Sequence, residues 1–406
     1  MLKKSLLLIV FVLFFISCTS KTEKLQTKKE INRNKSATSV YKYLQEWKIQ
    51  QDVKLDQYIK SMPLEERIAQ MFIENLEGCK NFRSYETFSK ITGDEKNTKP
   101  IVAGGYLFFG YNIAPTVLEQ QAFSQSIHNY ALENNQILPY LSVDQEGGWV
   151  NRLKKLTGPL PSQEQVAQNM SSVQAFDLYS SQAISMKELG FNMNIAPVIE
   201  VCNDNNKEFL DGRSFGSLFN TVEYGKACVN AYEFNSIGTV IKHFPGNTNT
   251  DPHTGLPEIT DSKAVLLEAV EGFKQIIQSN ASRKQPAGVL MSHARTSAID
   301  PGVPACLSKI WVTDILRNEW GYEGIIFSDD IFMGALADNG YPPEVAVVKA
   351  VEAGIDSIMT SEKRFGNQAK VLYNKAKADA EFENKINTSV KRILKYKIDC
   401  GLFTLE

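Results

Sequence analysis

The sequence predicts an α/β protein that folds as a single (β/α)8 barrel of the TIM type, with one irregular strand. Short apolar runs recur along the chain, each is followed by a longer amphipathic stretch, and polar residues follow several runs directly. Parallel strands that are buried on both faces appear in a sequence as short apolar runs, and long crossover helices connect them. Repeated over most of a chain, this alternation favours a barrel over an open sheet.

Seven strands are predicted, and an eighth is weak in the sequence. The seven are Tyr106 to Phe109, Pro139 to Val143, Met193 to Val198, Thr239 to Ile241, Val289 to Met291, Ile325 to Phe327 and Ile355 to Met359. The intervening stretch from Val173 to Leu189 is long enough for a crossover helix. Apolar residues at helical spacing predict a helix from Met62 to Phe72. The chain closes with an amphipathic helix around Ile386 to Leu394, so we expect no second domain after the barrel.

The composition is that of an ordinary globular protein, because 43% of the 406 residues are hydrophobic and the formal net charge is -2. A nucleic-acid-binding protein would need a basic stripe, so we expect no nucleic-acid partner. No glycine-rich phosphate-binding motif follows a predicted strand, and no histidine or cysteine pair has the spacing of a metal site. We therefore expect neither a cofactor nor a metal ion.

The first residues predict an export signal. Lys3 and Lys4 precede an unbroken apolar run from Leu6 to Ile16, which is too short for a comfortable membrane span. Ser17-Cys18 resembles the lipobox of bacterial lipoproteins, in which the cysteine becomes the lipidated first residue of the mature chain. An ordinary cleaved signal and an uncleaved anchor stay open as alternatives.

Three segments follow from this interpretation. Residues 1–18 form a lipoprotein signal peptide that ends at Cys18, and residues 19–40 form a disordered polar tether. The tether is rich in lysine and almost free of apolar side chains, so it cannot bury enough surface to fold. Residues 41–406 form the barrel. We expect the protein to be exported and lipid-anchored to a bacterial membrane, on its periplasmic or surface side, with the lipid bilayer as a partner.

Polar or charged residues follow five consecutive predicted strands. They are Asp144, Glu146 and Arg152, then Glu200 and Asp211 to Gly216, then Lys242 and His243, then Ser292 and His293, and finally Ser328 to Asp330. The carboxyl ends of barrel strands share one face, so these groups are expected to converge there as an active site. Asp330 by itself is better explained as the cap of a following helix.

The stretch from Gly238 to Pro257 contains two of the four histidines of the chain, His243 and His253. Asp251 lies close to His253 in the sequence, and a nearby carboxylate favours the imidazolium form of histidine. Because histidine exchanges protons near neutral pH, this loop is a candidate for acid–base chemistry. A surface loop in which both side chains cap the backbone fits the same residues.

Taken in order, these motifs resemble the β-N-acetylhexosaminidase branch of glycoside hydrolase family 3. The resemblance is carried by Met62 to Phe72, Asp144 to Gly148, Ala196 to Val198, Arg213 to Gly216, Lys242 to Gly246, Asp251 to His253, Pro304-Ala305, Ser328 to Asp330 and the closing helix. It implies a retaining, exo-acting glycosidase that removes a non-reducing terminal β-N-acetylglucosamine, or a related hexosamine, through a covalent glycosyl-aspartate intermediate. The partner it implies is a carbohydrate substrate, an amino-sugar glycoside.

The resemblance also implies individual roles. Asp329 matches the nucleophile of the family, and His253 with Asp251 matches its acid–base dyad. The residues that match positions binding the non-reducing sugar are Asp144, Arg152, Arg213, Lys242 and His243. A retaining glycosidase needs a carboxylate on one face of the sugar and a proton donor on the other. We expect Lys242 and Arg213 to keep Asp329 ionised.

Four features depart from the family pattern: the short loop Asn247 to Thr250, Pro252 within the dyad, Trp149 and Glu200. Because they surround the expected sugar pocket, they leave the sugar preference open. A surface lipoprotein that binds sugar without turnover stays open, and so does a β-glycosidase or phosphorylase of different sugar preference. A metal-dependent hydrolase is a further alternative, with His243, His253, His293 and Asp329 as ligands.

Overall fold

The computed structural model describes residues 46–251, 255–279 and 285–405. The chain divides into two units, Met1–Tyr58 and Ile59–Glu406. In the first unit, the described residues 46–58 are helical. The predicted signal peptide with Cys18, the predicted tether at 19–40 and the dyad residue His253 lie outside the described residues. Within the described ranges, no helix is both long enough and apolar enough to cross a membrane.

The second unit contains a parallel barrel. Its strands are β1 (Phe72–Asn75), β2 (Gly105–Phe108), β3 (Tyr140–Val143), β4 (Met193–Asn194), β5 (Gly238–Phe244), β6 (Gly288–Met291), β7 (Ile325–Phe327) and β8 (Ile358–Thr360). Along the sheet they follow the order β7-β6-β5-β4-β3-β2-β1-β8. The two ends of this order meet where Phe327 forms a parallel bridge with Ser357 and the Ser328 N–H donates to the Ser357 carbonyl at 2.9 Å. The predicted eight-stranded (β/α) barrel is confirmed.

Helices precede β1 and follow every strand. They are Leu64–Gln70, Phe88–Thr92, Val117–Glu133, Lys154–Thr157, Gln163–Asn169, Ser172–Glu188, Lys207–Leu210, Leu218–Phe234, Lys263–Ala269, Glu271–Gln278, Gly334–Asp338, Pro343–Ala353, Gly366–Ala378 and Ala380–Asp399, with 3-10 turns at Gly110–Asn112 and Ala305–Leu307 and a π-helix at Ile310–Glu319. Side-chain oxygens cap several of them by accepting from backbone N–H groups of the first turn. These caps are Thr116, Ser162, Ser171, Ser217, Ser262 and Asp379.

Two small sheets lie in connections at the carboxyl ends of the barrel strands. A hairpin follows β3 and pairs Gln145–Gly147 with Val150–Asn151. A second sheet is formed by Glu258–Ile259, Arg295–Thr296 and Asp300–Pro304. Both lie in connections that follow barrel strands. These connections are the part of the fold that varies most between different barrel proteins.

The strand boundaries differ from prediction in two places that matter. The weak strand is β1, which begins at Phe72, directly after a helix that ends at Gln70 rather than at Phe72. Strand β5 extends to Phe244, so Lys242 and His243 are strand residues and do not begin the loop after Ile241. The Lys242 N–H donates to the Pro197 carbonyl at 3.1 Å, and this pairing carries the strand past its apolar part.

A buried charged group lies at the amino ends of β7 and β8. Asp356 is fully buried, and it accepts from Arg392 Nη1 at 2.8 Å, from Arg317 Nη2 and from the Ile326 N–H at 2.8 Å. We call Arg317, Asp356 and Arg392 the lower cluster. It ties the long closing helix and the π-helix to the strands, because each arginine lies on a different one of these helices.

The closing helix also buries Lys397 at the same end of the barrel. Lys397 Nζ donates to Gln70 Oε1 at 2.6 Å and lies 5.8 Å from the centre of the Tyr140 ring. Burial lowers the pKa of Lys397 to about 7, because the charged ammonium loses its hydration there.

Candidate active site

The predicted site residues that the structure describes lie at the carboxyl ends of the strands. Asp144 directly follows β3, and Lys242 and His243 end β5. Asp329 follows β7 after Ser328, and Arg213 lies in the connection after β4. The carboxyl ends of parallel barrel strands form one face, so these side chains share it.

Four of these charged side chains form one ion-pair network. Lys242 Nζ donates to Asp144 Oδ1 and to Glu146 Oε1, each at 2.6 Å. Arg213 binds Glu146 in a bidentate manner, with Nε 2.8 Å from Oε2 and Nη2 2.9 Å from Oε1. We call Asp144, Glu146, Arg213 and Lys242 the upper cluster. Two carboxylates and two cations balance each other, so the cluster holds its geometry without a large net charge.

The electrostatics of the upper cluster follow from burial and pairing. Burial alone would raise the pKa of Glu146, but the charges of Lys242 and Arg213 outweigh it and hold this pKa at about 2. Burial likewise opposes the charge on Lys242, and the adjacent carboxylates of Asp144 and Glu146 reverse that effect, so its pKa is raised. Glu146 and Lys242 are therefore both ionised at neutral pH.

His243 belongs to a second group of contacts. Glu200 Oε1 lies 2.7 Å from His243 Nδ1, and Glu200 Oε2 accepts from the Asn247 N–H at 2.7 Å. Glu200 is only 2% exposed, so these partners satisfy a carboxylate that burial would otherwise penalise. Glu200 thereby fixes the His243 ring and anchors the start of the short loop that leads to Asp251.

Asp329 is half-buried, and its position is set by neighbours from two strands. Its Oδ1 accepts from the Asp330 N–H at 2.8 Å. The preceding Ser328 accepts from the Met359 N–H through its hydroxyl at 3.0 Å, which joins the end of β7 to β8. These contacts hold the Asp329 carboxylate at the carboxyl face of the barrel.

Asp330 braces the turn after β7. Its Oδ1 accepts from the Phe332 and Ser361 N–H groups, both at 3.0 Å. The next helix begins at Gly334 with Met333 at its N-cap, so Asp330 supports the loop and does not cap that helix. The buried His293 completes this region, with Nε2 3.0 Å from the Asp330 carbonyl and Nδ1 3.1 Å from the thiol of Cys306.

Arg152 follows the hairpin after β3. Its Nε atom is buried and has no hydrogen-bond partner among the described residues. A donor in this state is available to an oxygen atom of a ligand. The described residues contain no group of three or more histidine, cysteine or acidic side chains arranged for a metal ion.

Two features of the site were missed by sequence reasoning. The sequence predicts no particular role for Glu146, although its side chain lies on the same side of the strand as that of Asp144 because strand residues alternate. Lys242 and Arg213 were expected to act on Asp329, whereas their described ion pairs are with Asp144 and Glu146. Asp251 is exposed at the end of a described range, and His253, its predicted partner, lies outside the described residues.

This parallel barrel gathers charged and titratable side chains at the carboxyl ends of its strands, which is the arrangement of barrel enzymes. Residues 64–396 match the N terminal domain of glycosyl hydrolase family 3, and the chain belongs to this family.

Named relatives and solved structures agree with this assignment. The chain is 29% identical over 332 residues to beta-hexosaminidase A of Pseudoalteromonas piscicida, and the match covers 72% of this chain and 53% of that relative. It is 27% identical over 299 residues to an uncharacterized secreted glycosyl hydrolase of Arthroderma benhamiae, covering 71% and 80%. A glycoside hydrolase family 3 beta-N-acetylglucosaminidase from Paenibacillus sp. superimposes with a TM-score of 0.73 at 25% identity, covering 85% of this chain and 65% of that one. The chain thus spans about half the length of the first of these relatives.

Proposed function

We propose that the protein is a retaining, exo-acting glycosidase that releases a non-reducing terminal β-linked N-acetylglucosamine or a related hexosamine. Membership of the family supports the reaction class. The beta-hexosaminidase and beta-N-acetylglucosaminidase names of its relatives support the sugar.

One observation carries the proposal: Asp329 stands on the same barrel face as the upper cluster. A retaining glycosidase needs a carboxylate that attacks the anomeric carbon while the sugar is held beside it. The Asp330 N–H orients one oxygen of Asp329 at 2.8 Å, and the other oxygen is the one proposed to attack. The glycosidic bond breaks as the bond from Asp329 to the anomeric carbon forms.

Proton transfer is assigned to His253, oriented by Asp251. The imidazolium gives its proton to the glycosidic oxygen, so the aglycone leaves as a neutral alcohol. The neutral imidazole then takes a proton from water, and the resulting nucleophile releases the sugar from Asp329. An acidic residue has the same orienting role toward histidine in hydrolase triads.

The sugar is proposed to bind through five side chains: Asp144, Arg152, Arg213, Lys242 and His243. Sugar hydroxyls donate to carboxylates and accept from lysine and arginine, and such hydrogen bonds to ionised groups are stronger than those to neutral ones. The ion pairs of the upper cluster fix Asp144, Arg213 and Lys242 before the sugar arrives, which lowers the entropy cost of binding. The unpartnered Nε of Arg152 adds a donor that a sugar oxygen can satisfy.

Hydrolysis of a nitrophenyl β-N-acetylglucosaminide tests the proposal. We expect Asp329→Asn to lower kcat by at least about a thousandfold, because the covalent step loses its nucleophile. Asp330→Asn is the matched control, since it replaces the adjacent acid that braces the loop. A mass spectrum after reaction with a 2-fluoro glycosyl donor is expected to show an adduct on Asp329.

Other outcomes separate the alternatives. Tight sugar binding without product would contradict hydrolysis and favour a sugar-binding protein. Product formation that depends on added inorganic phosphate would identify a phosphorylase. An adduct on a different aspartate would overturn the role of Asp329.

We also propose that the chain is exported and carries a lipid on Cys18. The lipobox-like Ser17-Cys18 supports this, and one relative is named as secreted. Metabolic labelling with a radioactive fatty acid is expected to mark the wild-type chain and not Cys18→Ala. Equal labelling of the two chains would contradict the anchor.

A further inference from the structure

Glu200 is a buried carboxylate beside the proposed sugar site, and none of the proposed catalytic or sugar-binding roles belongs to it. The Glu200 side chain is 1% exposed, and that of its partner His243 is 12% exposed. Burying a carboxylate is costly unless hydrogen bonds satisfy its oxygens. The groups that satisfy Glu200 therefore indicate what this side chain does.

The position of Glu200 is set by its neighbours in the barrel. The Ile199 N–H donates to the Lys242 carbonyl at 2.8 Å, which ties the connection after β4 to strand β5. The Ser214 hydroxyl donates to the Glu200 carbonyl at 2.5 Å. Ser214 directly follows Arg213, a member of the upper cluster. Glu200 is thus fixed relative to β5 and to the segment that carries Arg213.

The Glu200 carboxylate accepts hydrogen bonds from two residues, His243 and Asn247. Its Oε1 lies 2.7 Å from His243 Nδ1, and 3.3 Å from both the His243 backbone nitrogen and Asn247 Nδ2. Its Oε2 accepts from the Asn247 N–H at 2.7 Å. The preceding Gly246 has a φ of +137°, which glycine adopts without strain, and a Cβ atom there would lie 3.7 Å from Oε2. One carboxylate thus joins the end of β5 to the start of the loop after it.

These bonds determine which nitrogen of the His243 ring carries hydrogen. An ionised carboxylate can only accept, so His243 Nδ1 is the donor in the 2.7 Å bond to Glu200. In a neutral imidazole whose Nδ1 carries the hydrogen, Nε2 is an acceptor. Among the described residues, the hydrogen bond of the His243 ring involves Nδ1, so Nε2 is left for a ligand.

The loop after β5 is docked on the connection that carries Glu200. Asn249 Oδ1 accepts from the Glu208 N–H at 2.9 Å. The next residue, Phe209, lies edge-on to the His243 ring, with 6.0 Å between centroids and 63° between planes. The same connection therefore supports both the loop and the His243 ring.

We propose that Glu200 is a positioning residue with two tasks. It holds His243 in the tautomer with hydrogen on Nδ1, so that Nε2 accepts from a hydroxyl group of the terminal sugar. It also fixes the start of the loop that leads to Asp251, which orients the assigned proton donor. This inference rests on the proposed function and deepens it.

The tautomer matters because most of the other proposed sugar ligands supply donors. Lysine and arginine have only N–H groups, so Arg152, Arg213 and Lys242 can donate but not accept. Asp144 accepts, but its Oδ1 already receives Lys242 Nζ at 2.6 Å. A sugar hydroxyl that donates its hydrogen needs an acceptor. His243 Nε2 is a second acceptor only while Nδ1 carries the hydrogen.

Nitrogen NMR tests the tautomer without turnover. Full-length protein labelled with 15N-histidine is measured at about pH 8, where histidine is ordinarily neutral. The chain has four histidines, and the signals of His243 are those that disappear in His243→Gln. We expect hydrogen on Nδ1 in the wild type. In Glu200→Gln we expect hydrogen on Nε2 in a measurable fraction, because the amide can turn its NH2 group towards Nδ1.

Sugar affinity is measured in protein carrying Asp329→Asn, which prevents turnover. Adding Glu200→Gln is expected to weaken N-acetylglucosamine binding about tenfold in calorimetry, because the sugar loses one hydrogen bond. Adding Glu200→Asp should weaken it less, since a carboxylate remains as acceptor. Glu233→Gln is the matched control, because Glu233 accepts from the Thr239 and Ala287 N–H groups, at 2.9 and 3.1 Å, near the other end of β5. That variant should change affinity less than about twofold.

The task of Glu200 at the loop is tested with two leaving groups in protein with Asp329 intact. Dinitrophenolate leaves without a proton donor, whereas methanol needs one. Both glycosides carry the same sugar, so an effect on sugar binding cancels when their kcat/KM values are compared. Glu200→Gln should lower kcat/KM for the methyl glycoside at least about tenfold more than for the dinitrophenyl glycoside. Equal losses for the two would overturn the task at the loop.

The outcomes separate Glu200 from the activity. Hydrogen on Nε2 of His243 in the wild type would overturn the inference, and so would unchanged affinity and tautomer in Glu200→Gln. Equal losses of affinity in Glu200→Gln and Glu233→Gln would show a general effect on the fold and would also overturn it. Hydrogen on Nδ1, with weaker sugar binding in Glu200→Gln alone, would support the inference. If that protein hydrolysed neither glycoside, the proposed hydrolysis would be overturned instead.

Discussion

The two ends of the barrel each bury a carboxylate between two cations. Comparing them shows that similar ion pairs serve different purposes at the two ends. In the lower cluster, Asp356 is completely buried, and its bonds join two helices to strand β7. In the upper cluster, Glu146 is paired in the same way, but Asp144 and Arg213 are each 18% exposed in their side chains. The lower cluster is closed, whereas the upper one faces solvent at the end where barrel enzymes bind substrates.

A buried ion pair is thus no sign of function by itself. Desolvation of the charges offsets much of their attraction, so such pairs contribute little net stability but are costly to break. What distinguishes the upper cluster is its place at the carboxyl ends of the strands and its contact with solvent. The comparison predicts that the lower cluster governs stability alone and that the upper one governs both stability and activity.

The largest effect is expected from Asp356→Asn. It leaves Arg317 and Arg392 buried without a compensating charge, so the free energy of unfolding should fall by about 3–5 kcal/mol. Urea unfolding measures the loss, and kcat of the remaining folded protein should be unchanged. Asp204→Asn is the matched control, because the Asp204–Lys207 pair is exposed and should contribute less than about 1 kcal/mol. If Asp356→Asn lost activity without losing stability, the prediction that the lower cluster governs stability alone would be wrong.

The next effect concerns the pH dependence of the upper cluster. The folded pKa of Glu146, about 2, lies below its ordinary value of 4.5, so the ionised form stabilises the fold. This contribution, roughly 3 kcal/mol, is complete above pH 4.5 and is lost as the pH falls towards 2. Because glutamine mimics the protonated side chain, the stability difference between wild type and Glu146→Gln should shrink over that range. A difference that is constant from pH 6 to about 3 would contradict the assignment.

Glu146→Gln should also affect the reaction, which Asp356→Asn should not. Removing one carboxylate leaves two cations against Asp144 alone, so the side chains that we propose to hold the sugar should shift. We expect KM for the nitrophenyl glycoside to rise by about tenfold or more.

The smallest effect is expected at the amino end, from Lys397. Its folded pKa of about 7 lies below the ordinary value of 10.5, so protonation is less favourable in the folded state than in the unfolded one. Stability should therefore rise with pH between about 7 and 10.5, by roughly 2 kcal/mol from pH 7 to 9. Lys397→Met should lose this rise, which chemical unfolding at the two pH values measures. An identical rise in wild type and variant would show that other groups cause it.

Much of the barrel could be predicted because its signals are local. Strand β7 was predicted with its exact bounds, since three apolar residues stand between a glycine and a serine. Strand β1 was harder, because Phe72 and Ile73 continue the apolar spacing of the preceding helix. Only pairing with β8 and β2 shows where that helix ends and the strand begins.

Parts of the candidate site were less predictable because they depend on distant partners. A lysine after an apolar run predicts the end of a strand, yet Lys242 remains in β5 because acids from another connection compensate its charge. Those acids are 96 to 98 positions away in the chain, as in the contact of Lys242 with Asp144. The roles of Asp329, Asp251 and His253 stay predictions.

The sequence by itself determined the alternation of strands and helices, and it determined that polar residues follow the strands. Both depend on neighbouring residues and on the period of side-chain burial. Only the tertiary structure decided which carboxylate each cation pairs with, that Glu146 joins Lys242 to Arg213, and that Glu200 contacts both His243 and Asn247. These outcomes depend on closure of the barrel, which brings residues far apart in the chain within hydrogen-bonding distance.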